Sequence, residues 1–516
     1  LSNPRSDQSL QGQALEYLGQ VRSDPQAWQA CTNLYVRTSP RASDLARMTC
    51  LEIINYAVYN HGLDTDSLSY LKQTLLEYTR QTYGPDTQNE PDQPHIQNKL
   101  TQTLTYLFVF LYQNGWQSFL EDFLALTGIG NGVNNVRGTL FYLRILSSIH
   151  DEIADMLLSR QSNESKRNTE LKDQLRAQDM HRVADSWKQL LARYSDNDAV
   201  VEMVLRVIGK WASWMDISLI ISQDMLSLIL PVVGRHQNEG RADKVRDVAI
   251  ETLTEICGKK MRSADKMEMI SFLSLQSIVS QLVAMPLLSE YRGTSQYDTD
   301  LAEVVAKLVN SVVSDIIRAL DDPQISDDTR SRAKQHLNDF LPLLLRFFTD
   351  EYDEVCSTVI PALTDLLTFL RKLGHLPEEY NSMLAPILDA IIRKMRYDET
   401  SSWGNEDEQT DEAEFQELRK KLQNLQKTIA AINQPLYMDM LSNLVATTFQ
   451  TLNQRGSDMD WRDLDLALHE MYLFGELALP NHGPGTKNQP SSEASERLVV
   501  MVTKMVESGT SVDESL

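Results

Sequence analysis

Cysteine is scarce: Cys31, Cys50, Cys257 and Cys356 are the four in 516 residues. They stand far apart and form no CxxC pair, which speaks against a disulfide framework or a structural zinc site and suits a reducing compartment. Long apolar runs are missing too. The longest, Ile217 to Val233, is interrupted by Gln223, Asp224 and three serines, so no helix reads as membrane-spanning. The opening LSNPRSDQSLQGQ has no apolar h-region, so no signal peptide is expected. A soluble, intracellular protein is expected. Basic charge is in short supply, with 49 Lys+Arg against 72 Asp+Glu and a net charge of −23. That balance argues against a coat of Lys and Arg for indiscriminate nucleic-acid binding and leaves room for a local basic groove.

Motifs for small-molecule chemistry are equally absent. Gly258-Lys259-Lys260 lacks the upstream glycine and the Ser/Thr of a phosphate loop. Gly128-Ile-Gly130-Asn-Gly132 follows no strand and reads as a helix-connecting turn. None of the nine histidines forms HExxH or pairs with a Cys at ligand spacing. Asp458, Asp460 and Asp463 hint at a calcium loop, but Asp463 stands where Gly is needed and His469 where Glu is needed, so capping of a helix at Trp461 is the better reading. No GxSxG is present and no Cys stands beside a base.

What is present is helical periodicity. Hydrophobic residues make up 42% of the chain, enough to fold. The length allows three or so domains, or one long repeat array. Val200, Met203, Val204, Val207, Ile208 and Trp211 recur at helical spacing, as do Leu301, Val304, Val305, Leu308, Val309, Val312 and Ile316, and Leu100, Leu104, Leu107 and Leu111. Each set puts an apolar stripe on one side of a helix, and no comparable stretch alternates with period two. Short turns such as Ser23-Asp24-Pro25, Asp321-Asp322-Pro323 and His375-Leu376-Pro377 join the helices. The fold class is all-α, an α-solenoid of HEAT-like helical hairpin repeats (an armadillo-type superhelix). Asp243 to Leu253 has the spacing of the second helix of a HEAT repeat, and Asp353 to Leu366 is a looser copy. At roughly 40–47 residues per repeat the chain would hold about a dozen.

Three segments break the pattern. Residues 84–95 are a polar loop with prolines, residues 398–417 carry nine acids and no base, and residues 480–495 are too rich in Pro, Gly and Ser for a helix. A last helix from Glu496 to about Glu507 runs into a polar tail with no capping repeat, so the chain reads as a fragment. Cations concentrate in two places. Residues 160–182 hold Arg160, Lys166, Arg167, Lys172, Arg176 and Arg182; residues 235–266 hold Arg235, Arg241, Lys244, Arg246, Lys259, Lys260, Arg262 and Lys266. Each is either a solvated helix surface or a basic lining on the concave side that tracks phosphates. The acidic run is either a solvated loop or, given Trp403 and Phe415, a segment that docks on the solenoid or on a basic partner.

Specific stretches resemble the exportin-T family of karyopherins, fungal type. Ala14-Leu-Glu-Tyr-Leu18 precedes Ser23-Asp-Pro-Gln-Ala-Trp28, and His95-Ile-Gln-Asn-Lys-Leu-Thr-Gln102 is similar to a Ran-embracing segment of exportins generally. Arg167-Asn-Thr169 with Lys172-Asp173, Trp211 through Leu219, Lys260-Met261, Asp265-Lys-Met267 and the acidic run Glu406 to Phe415 resemble the family more narrowly. The resemblance runs from residue 10 to about 509 and covers the N-terminal half of a family member; Thr510 to Leu516 depart from it.

The resemblance implies a nuclear export receptor that is no enzyme. It would bind tRNA cooperatively with RanGTP, shuttle between nucleus and cytoplasm, and release tRNA after GTP hydrolysis on Ran. No cofactor is implied, since GTP is bound by Ran. Phe-Gly repeat proteins of the nuclear pore are further implied partners, with no membrane insertion and a monomeric state. Residues 1–150 would be N-terminal repeats that bind Ran, 151–397 an arch facing tRNA, 398–417 an acidic loop, and 418–516 further repeats. Ran contacts would be Trp28, Glu52, Asn98, Lys99, Gln102, Glu406, Asp407, Glu408, Asp411 and Glu412. Contacts to tRNA would be Lys166, Arg167, Lys172, Arg176, Lys259, Lys260, Arg262 and Lys266. A karyopherin for protein cargo and a HEAT scaffold unrelated to transport are the alternatives.

Overall fold

The computed structural model describes residues 8–60, 62–87, 89–155, 157–235, 243–398, 409–478 and 492–509. Among them no strand forms, and one isolated bridge joins Thr38 to Arg41. The chain divides into two units, Leu1–His236 with Asp243–Lys259, and Gln237–Ala242 with Lys260–Leu516.

The first unit opens with α1 (Gln8–Ser23). Hairpins follow: α2 (Ala27–Val36) with α3 (Asp44–Asn60), α4 (Thr65–Tyr83) with α5 (Pro94–Leu111), and α6 (Phe119–Leu124) with α7 (Val136–Ile153). An extra helix, α8 (Ser162–Gln178), precedes the hairpins α9 (Met180–Arg193) with α10 (Asp198–Ala212) and α11 (Gln223–Val233) with α12 (Lys244–Gly258). Helices α3, α5, α7, α10 and α12 pack side by side in that order.

The second unit starts with α13 (Ser263–Phe272). Its hairpins are α14 (Leu275–Val283) with α15 (Thr299–Asp321), α16 (Asp327–Phe348) with α17 (Asp353–Lys372), α18 (Glu378–Lys394) with α19 (Gln409–Ile432), and α20 (Gln434–Arg455) with α21 (Trp461–Ala478). Helix α22 (Ser492–Gly509) packs on α20 and α21.

The expected all-α stack of HEAT-like hairpins is the fold. Two details differ from the sequence reading. Second helices begin at residues 44, 94, 136, 198 and 244 and then at 299, 353, 409 and 461, so repeats are mostly longer and fewer than a 40–47-residue period implies. Helices of up to 24 residues and the insertion of α8 cause the lengthening. The burial on α10 is also wider than one stripe: Val201, Leu205 and Ala212 are buried beside Val200, Val204, Val207, Ile208 and Trp211. A helix with neighbours on both sides must be apolar over most of its circumference. Capping is local and legible, with Asp64, Asn197, Ser222, Asp243, Asp298 and Ser326 each accepting an N–H from the first turn of its helix. The glycine-rich turn is two short 3-10 turns, in which Gly128 has φ 72° and a Cβ would meet the Val133 carbonyl oxygen at 2.5 Å.

The polar 84–95 loop contains the most elaborate buried contact of the first unit. Asp92 is 3% exposed. Its Oδ1 lies 2.7 Å from Arg47 Nη2 and accepts from Tyr78 (2.8 Å) and Arg41 (2.5 Å); its Oδ2 accepts from Tyr83 (2.9 Å) and Tyr35 (3.2 Å). Arg47 is itself fully buried, 4.6 Å over the Tyr35 ring. Tyr35, Arg47 and the two tyrosines of α4 therefore tie three helices to one loop carboxylate. Burial and the adjacent Asp92 charge push the phenol of Tyr83 well above its ordinary value.

A second buried carboxylate, Glu470 on α21, has no cation paired with it among the described residues. Gln426 Nε2 donates to its Oε2 at 2.5 Å, while Glu470 Oε1 and the Tyr437 hydroxyl are buried without partners. Burial pushes its pKa up to about 7 despite the hydrogen bond from Gln426 and the nearby Arg419.

Two outcomes follow. Asp92→Ala leaves Arg47 as an uncompensated buried charge and should lower the stability of the first unit by roughly 3–5 kcal/mol, read by urea unfolding, with Lys166→Ala as an exposed-site control. Glu470 is protonated in the fold over a range where the unfolded carboxyl, near 4.5, is ionised. Its contribution to stability is full below about pH 4.5 and is lost as pH rises through about 7, on the order of 3 kcal/mol in total. Glu470→Gln should therefore gain stability relative to the parent between pH 5.5 and 8.5, and a flat difference in thermal unfolding would remove Glu470 as the titrating group.

Candidate partner-binding surfaces

Helices α3 and α5 lie side by side, and each turns its apolar residues inward. On α3, Leu51, Ile54 and Val58 are buried; on α5, Ile96, Leu100, Leu104 and Leu107 are. The residues between them form two parallel outward stripes at i, i+3/4, i+7: Glu52, Tyr56 and Tyr59 on α3, and Lys99, Gln102 and Tyr106 on α5. With Arg22 of α1 they line an open groove of about 710 Å³.

The groove is internally ordered. Gln102 accepts from Asn55 at 3.3 Å and donates to the Tyr106 hydroxyl at 2.9 Å. Tyr59 and Tyr106 pack with centroids 4.9 Å apart, and Arg22 lies 4.2 Å over the Tyr56 ring. Burial, then the charge of Glu152, pushes the Tyr106 phenol up to about 12, so it stays neutral. Such a groove offers one anion, two cations and three aromatic rings to a macromolecular surface.

Three of the residues expected at a Ran surface, Glu52, Lys99 and Gln102, thus meet in one place. Asn98 is exposed beside them, its side-chain oxygen held by Arg144 of α7. Trp28 does not join them. It is 3% exposed and packs edge-on to Tyr70 at 6.2 Å, so its role is in the core of the first hairpin. The aromatic flank of Tyr56, Tyr59 and Tyr106 was missed in the sequence, although its spacing at i, i+3 on α3 was a readable signal.

The acidic run is shorter as a loop than expected. Glu406, Asp407, Glu408 and Trp403 lie outside the described residues, but α19 already begins at Gln409 and takes in Asp411 to Glu417. Glu412 accepts from Tyr397 and Gln416, both at 2.8 Å, and Phe415 packs on Tyr397 at 4.6 Å with Arg419 4.9 Å over its ring. Glu412 and Phe415 therefore anchor the helix on its own unit. Acids in the first turns of a helix are favoured by its dipole, a stabilisation that the composition of the run concealed. Likewise α22 starts at Ser492, so Ser492 to Ser495 are helical; residues 480–491 lie outside the described residues. Asp460 caps at Arg462, and both Asp460 and Asp463 pair with Arg396 at 2.6 Å, consistent with a helix start at Trp461. No group of three or more His, Cys, Asp or Glu among the described residues is placed to hold a metal ion.

The cations chosen for tRNA divide sharply. Lys266 is 5% exposed and pairs with Asp315 at 2.9 Å, which takes it off the surface. Lys259 donates to the carbonyls of Ala212, Ser213 and Met215 at 3.1, 3.1 and 2.8 Å, capping the C-terminal end of α10 from one repeat further on. Arg176 holds Asp173 at 2.6 Å and the Trp214 carbonyl at 3.0 Å, Arg167 faces Glu152 at 3.8 Å, and Arg262 pairs with Asp265 at 2.8 Å. Lys166, Lys172 and Lys260 make no side-chain ion pair or hydrogen bond among the described residues. Burial and the adjacent Arg176 pull the Lys172 ammonium below its ordinary value. Of the remaining basic residues, Arg160 and Arg182 are likewise engaged, Arg235 pairs with Asp198 and Asp243, and Arg241 lies outside the described residues.

Comparison with known proteins places these surfaces in a family context. Residues 327–514 match the family model described as Exportin-T, and residues 93–253 match that described as Exportin 1-like protein. Proteins called Exportin-T are 62% identical in Chaetomium globosum, 59% in Neurospora crassa and 52% in Aspergillus oryzae, each over 98% of this chain and 50% of the relative. The chain therefore spans about half the length of the curated relatives it matches. Among solved structures, one called Importin13 cytosolic state aligns with a TM-score of 0.57 at 11% identity, over 81% of this chain and 47% of that one, a likeness of fold.

The contrast between adjacent lysines is testable. Lys259→Ala should lower stability by about 1.5–3 kcal/mol, the scale of charged hydrogen bonds to carbonyls, whereas Lys260→Glu should stay within about 0.5 kcal/mol of the parent. Thermal unfolding of the two variants checks this, and equal losses would contradict the assignment of Lys259 as a cap.

Proposed function

We propose that this chain, similar over nearly its whole length to one half of proteins called Exportin-T, forms part of a karyopherin-type nuclear export receptor that binds tRNA cooperatively with RanGTP. The carrier would shuttle between nucleus and cytoplasm as a monomer, meeting Phe-Gly repeat proteins in the pore without entering a membrane. GTP hydrolysis takes place on Ran and releases the RNA; this chain needs no cofactor and supplies no catalytic group.

The observation that carries the Ran half of the reading is the convergence of Glu52, Lys99 and Gln102 in the α1–α3–α5 groove. An open, mixed-charge groove bordered by tyrosines suits a protein surface better than a small substrate. For tRNA, the support is narrower and rests on Lys166, Lys172 and Lys260. Recognition through phosphates and 2′-hydroxyls would let one carrier accept many sequences. If both ligands favour the same arrangement of stacked hairpins, a hundredfold mutual enhancement requires about 2.7 kcal/mol of coupling. One observation favours a carrier of protein cargo instead: the other five of the eight cations chosen for tRNA already have intramolecular partners.

Filter binding of labelled tRNA with and without RanGTP separates the two readings. Retention that rises with RanGTP is expected, and retention indifferent to it rejects the tRNA assignment. In calorimetry Lys99→Glu should weaken RanGTP binding roughly tenfold, about 1.4 kcal/mol. Unchanged affinity would take the groove out of the Ran surface.

A further inference from the structure

We propose that Cys31 of α2 and Cys50 of α3 form a dithiol site that a hydroperoxide closes to a reversible disulfide. Nothing in their sequence spacing announces a pair; the packing of the first hairpin makes one. The register follows from a contact one turn away, where the Arg47 guanidinium of α3 lies 4.6 Å over the Tyr35 ring of α2. The two helices run antiparallel. One turn back along α2 from Tyr35 and one turn on along α3 from Arg47 are Cys31 and Cys50, so the thiols face each other. Their side chains are hydrogen-bonded across the interface. Cys50 is 4% exposed and Cys31 8%, so Cys31 is the one nearer to solvent.

The two thiols are not equivalent. The hydrogen bond from Cys50 pulls the Cys31 thiol below its ordinary value, against the effect of burial. The same bond, then burial, pushes Cys50 up. Arg47 has Nε and Nη1 buried without hydrogen-bond partners, and its charge opposes the rise at Cys50. Cys31 is thus the side that carries thiolate, and Cys50 the side that keeps its proton. That is the division between an attacking and a resolving thiol. Cys356 shows the contrast: it is fully buried, and burial pushes its thiol up to about 12. A thiol raised by apolar burial is a poor nucleophile.

The chemistry balances with a hydroperoxide as the oxidant. The Cys31 thiolate attacks one oxygen of hydrogen peroxide, the O–O bond breaks, and the departing hydroxide takes up the thiol proton as water. Cys31 is left as a sulfenic acid. The Cys50 sulfur then attacks the Cys31 sulfur, the S–S bond forms, and the S–O bond breaks as hydroxyl leaves with the Cys50 proton as a second water. Two thiols have lost two electrons, and one peroxide has become two waters. A small thiol such as glutathione, itself oxidised to its disulfide, returns the pair to the reduced state. The site does not depend on the transport reading.

The test begins with the reduced parent chain. It is treated with hydrogen peroxide, quenched with iodoacetamide under unfolding conditions, digested without reductant and read by mass spectrometry. A peptide pair joined through Cys31 and Cys50 is expected, lighter by two hydrogens than its reduced parts, and abolished by dithiothreitol. Cys356 should be recovered alkylated, with oxidation slower by roughly tenfold or more. In Cys50→Ser the sulfenic acid has no resolving thiol, so dimedone should label Cys31; in Cys31→Ser, Cys50 should stay reduced. Circular dichroism establishes that both variants are folded, and the parent's result stands without them. Phenylarsine oxide, which bridges two neighbouring thiols without oxidising them, should bind the parent and protect both cysteines from alkylation. Failure of the arsenical to protect them overturns the pairing. Protection without a linked peptide, a link to any other cysteine, or Cys31 driven to sulfinic acid while Cys50 stays reduced overturns the redox step.

Discussion

A helix in this chain has apolar surface that only its neighbours can cover, and covering it decides nearly everything else. Val201 and Leu205 of α10 are as buried as the stripe that names it a helix, because α7 lies on one side and α12 on the other. Stacking of that kind brings the C-terminal ends of successive second helices close together. Their carbonyls and terminal carboxylates then need donors. The donor comes repeatedly from the next repeat: Lys210 to Asp151, Lys259 to the end of α10, Lys372 to Asp321; among first helices, Lys394 at the end of α18 does the same for the carbonyls that follow α16. The spacing of these pairs is the spacing of the repeats.

This ladder sets the electrostatics on which any function must draw. An acidic chain in which helix ends engage much of the cationic charge internally presents few mobile positive groups. Those that are left, such as Lys166, Lys172 and Lys260, carry more weight for an anionic partner than their number suggests. The α1–α3–α5 groove follows a different logic. Its charges are mixed and its rings are half-buried, which suits a folded protein surface with a polar rim and aromatic anchors.

Buried polar groups mark places where apolar stacking alone would be ambiguous, and Asp92 and Glu470 are two of them. Asp92 collects three tyrosines and two arginines, and so pins a loop that apolar contacts cannot position. Such a network specifies one arrangement because every alternative strands a charge. Glu470 is the opposite case, an acid buried with an amide and an unpartnered phenol nearby, and its burial keeps it neutral over part of the physiological range.

Much of this was readable before any fold was known. Helical stripes at 100–111, 200–211 and 301–316 became α5, α10 and α15, caps stood where Asn197 and Asp298 preceded the second and third, and the family resemblance of residues 10–509 extends through both units. Periodicity and capping are local, so sequence alone determined the helices, their class of packing and their kinship. Partnership is not local. Lys259 and Lys260 are neighbours in the chain, yet one reaches back 47 residues to cap a helix and the other makes no contact of that kind. Lys266 sits in a basic stretch but is buried on Asp315, and Arg292 joins Arg393 across a hundred residues to line a groove that neither segment announces. Only the tertiary structure decided which charges are engaged and which are offered, because a charge is neutralised by whatever the fold brings within a few ångströms of it.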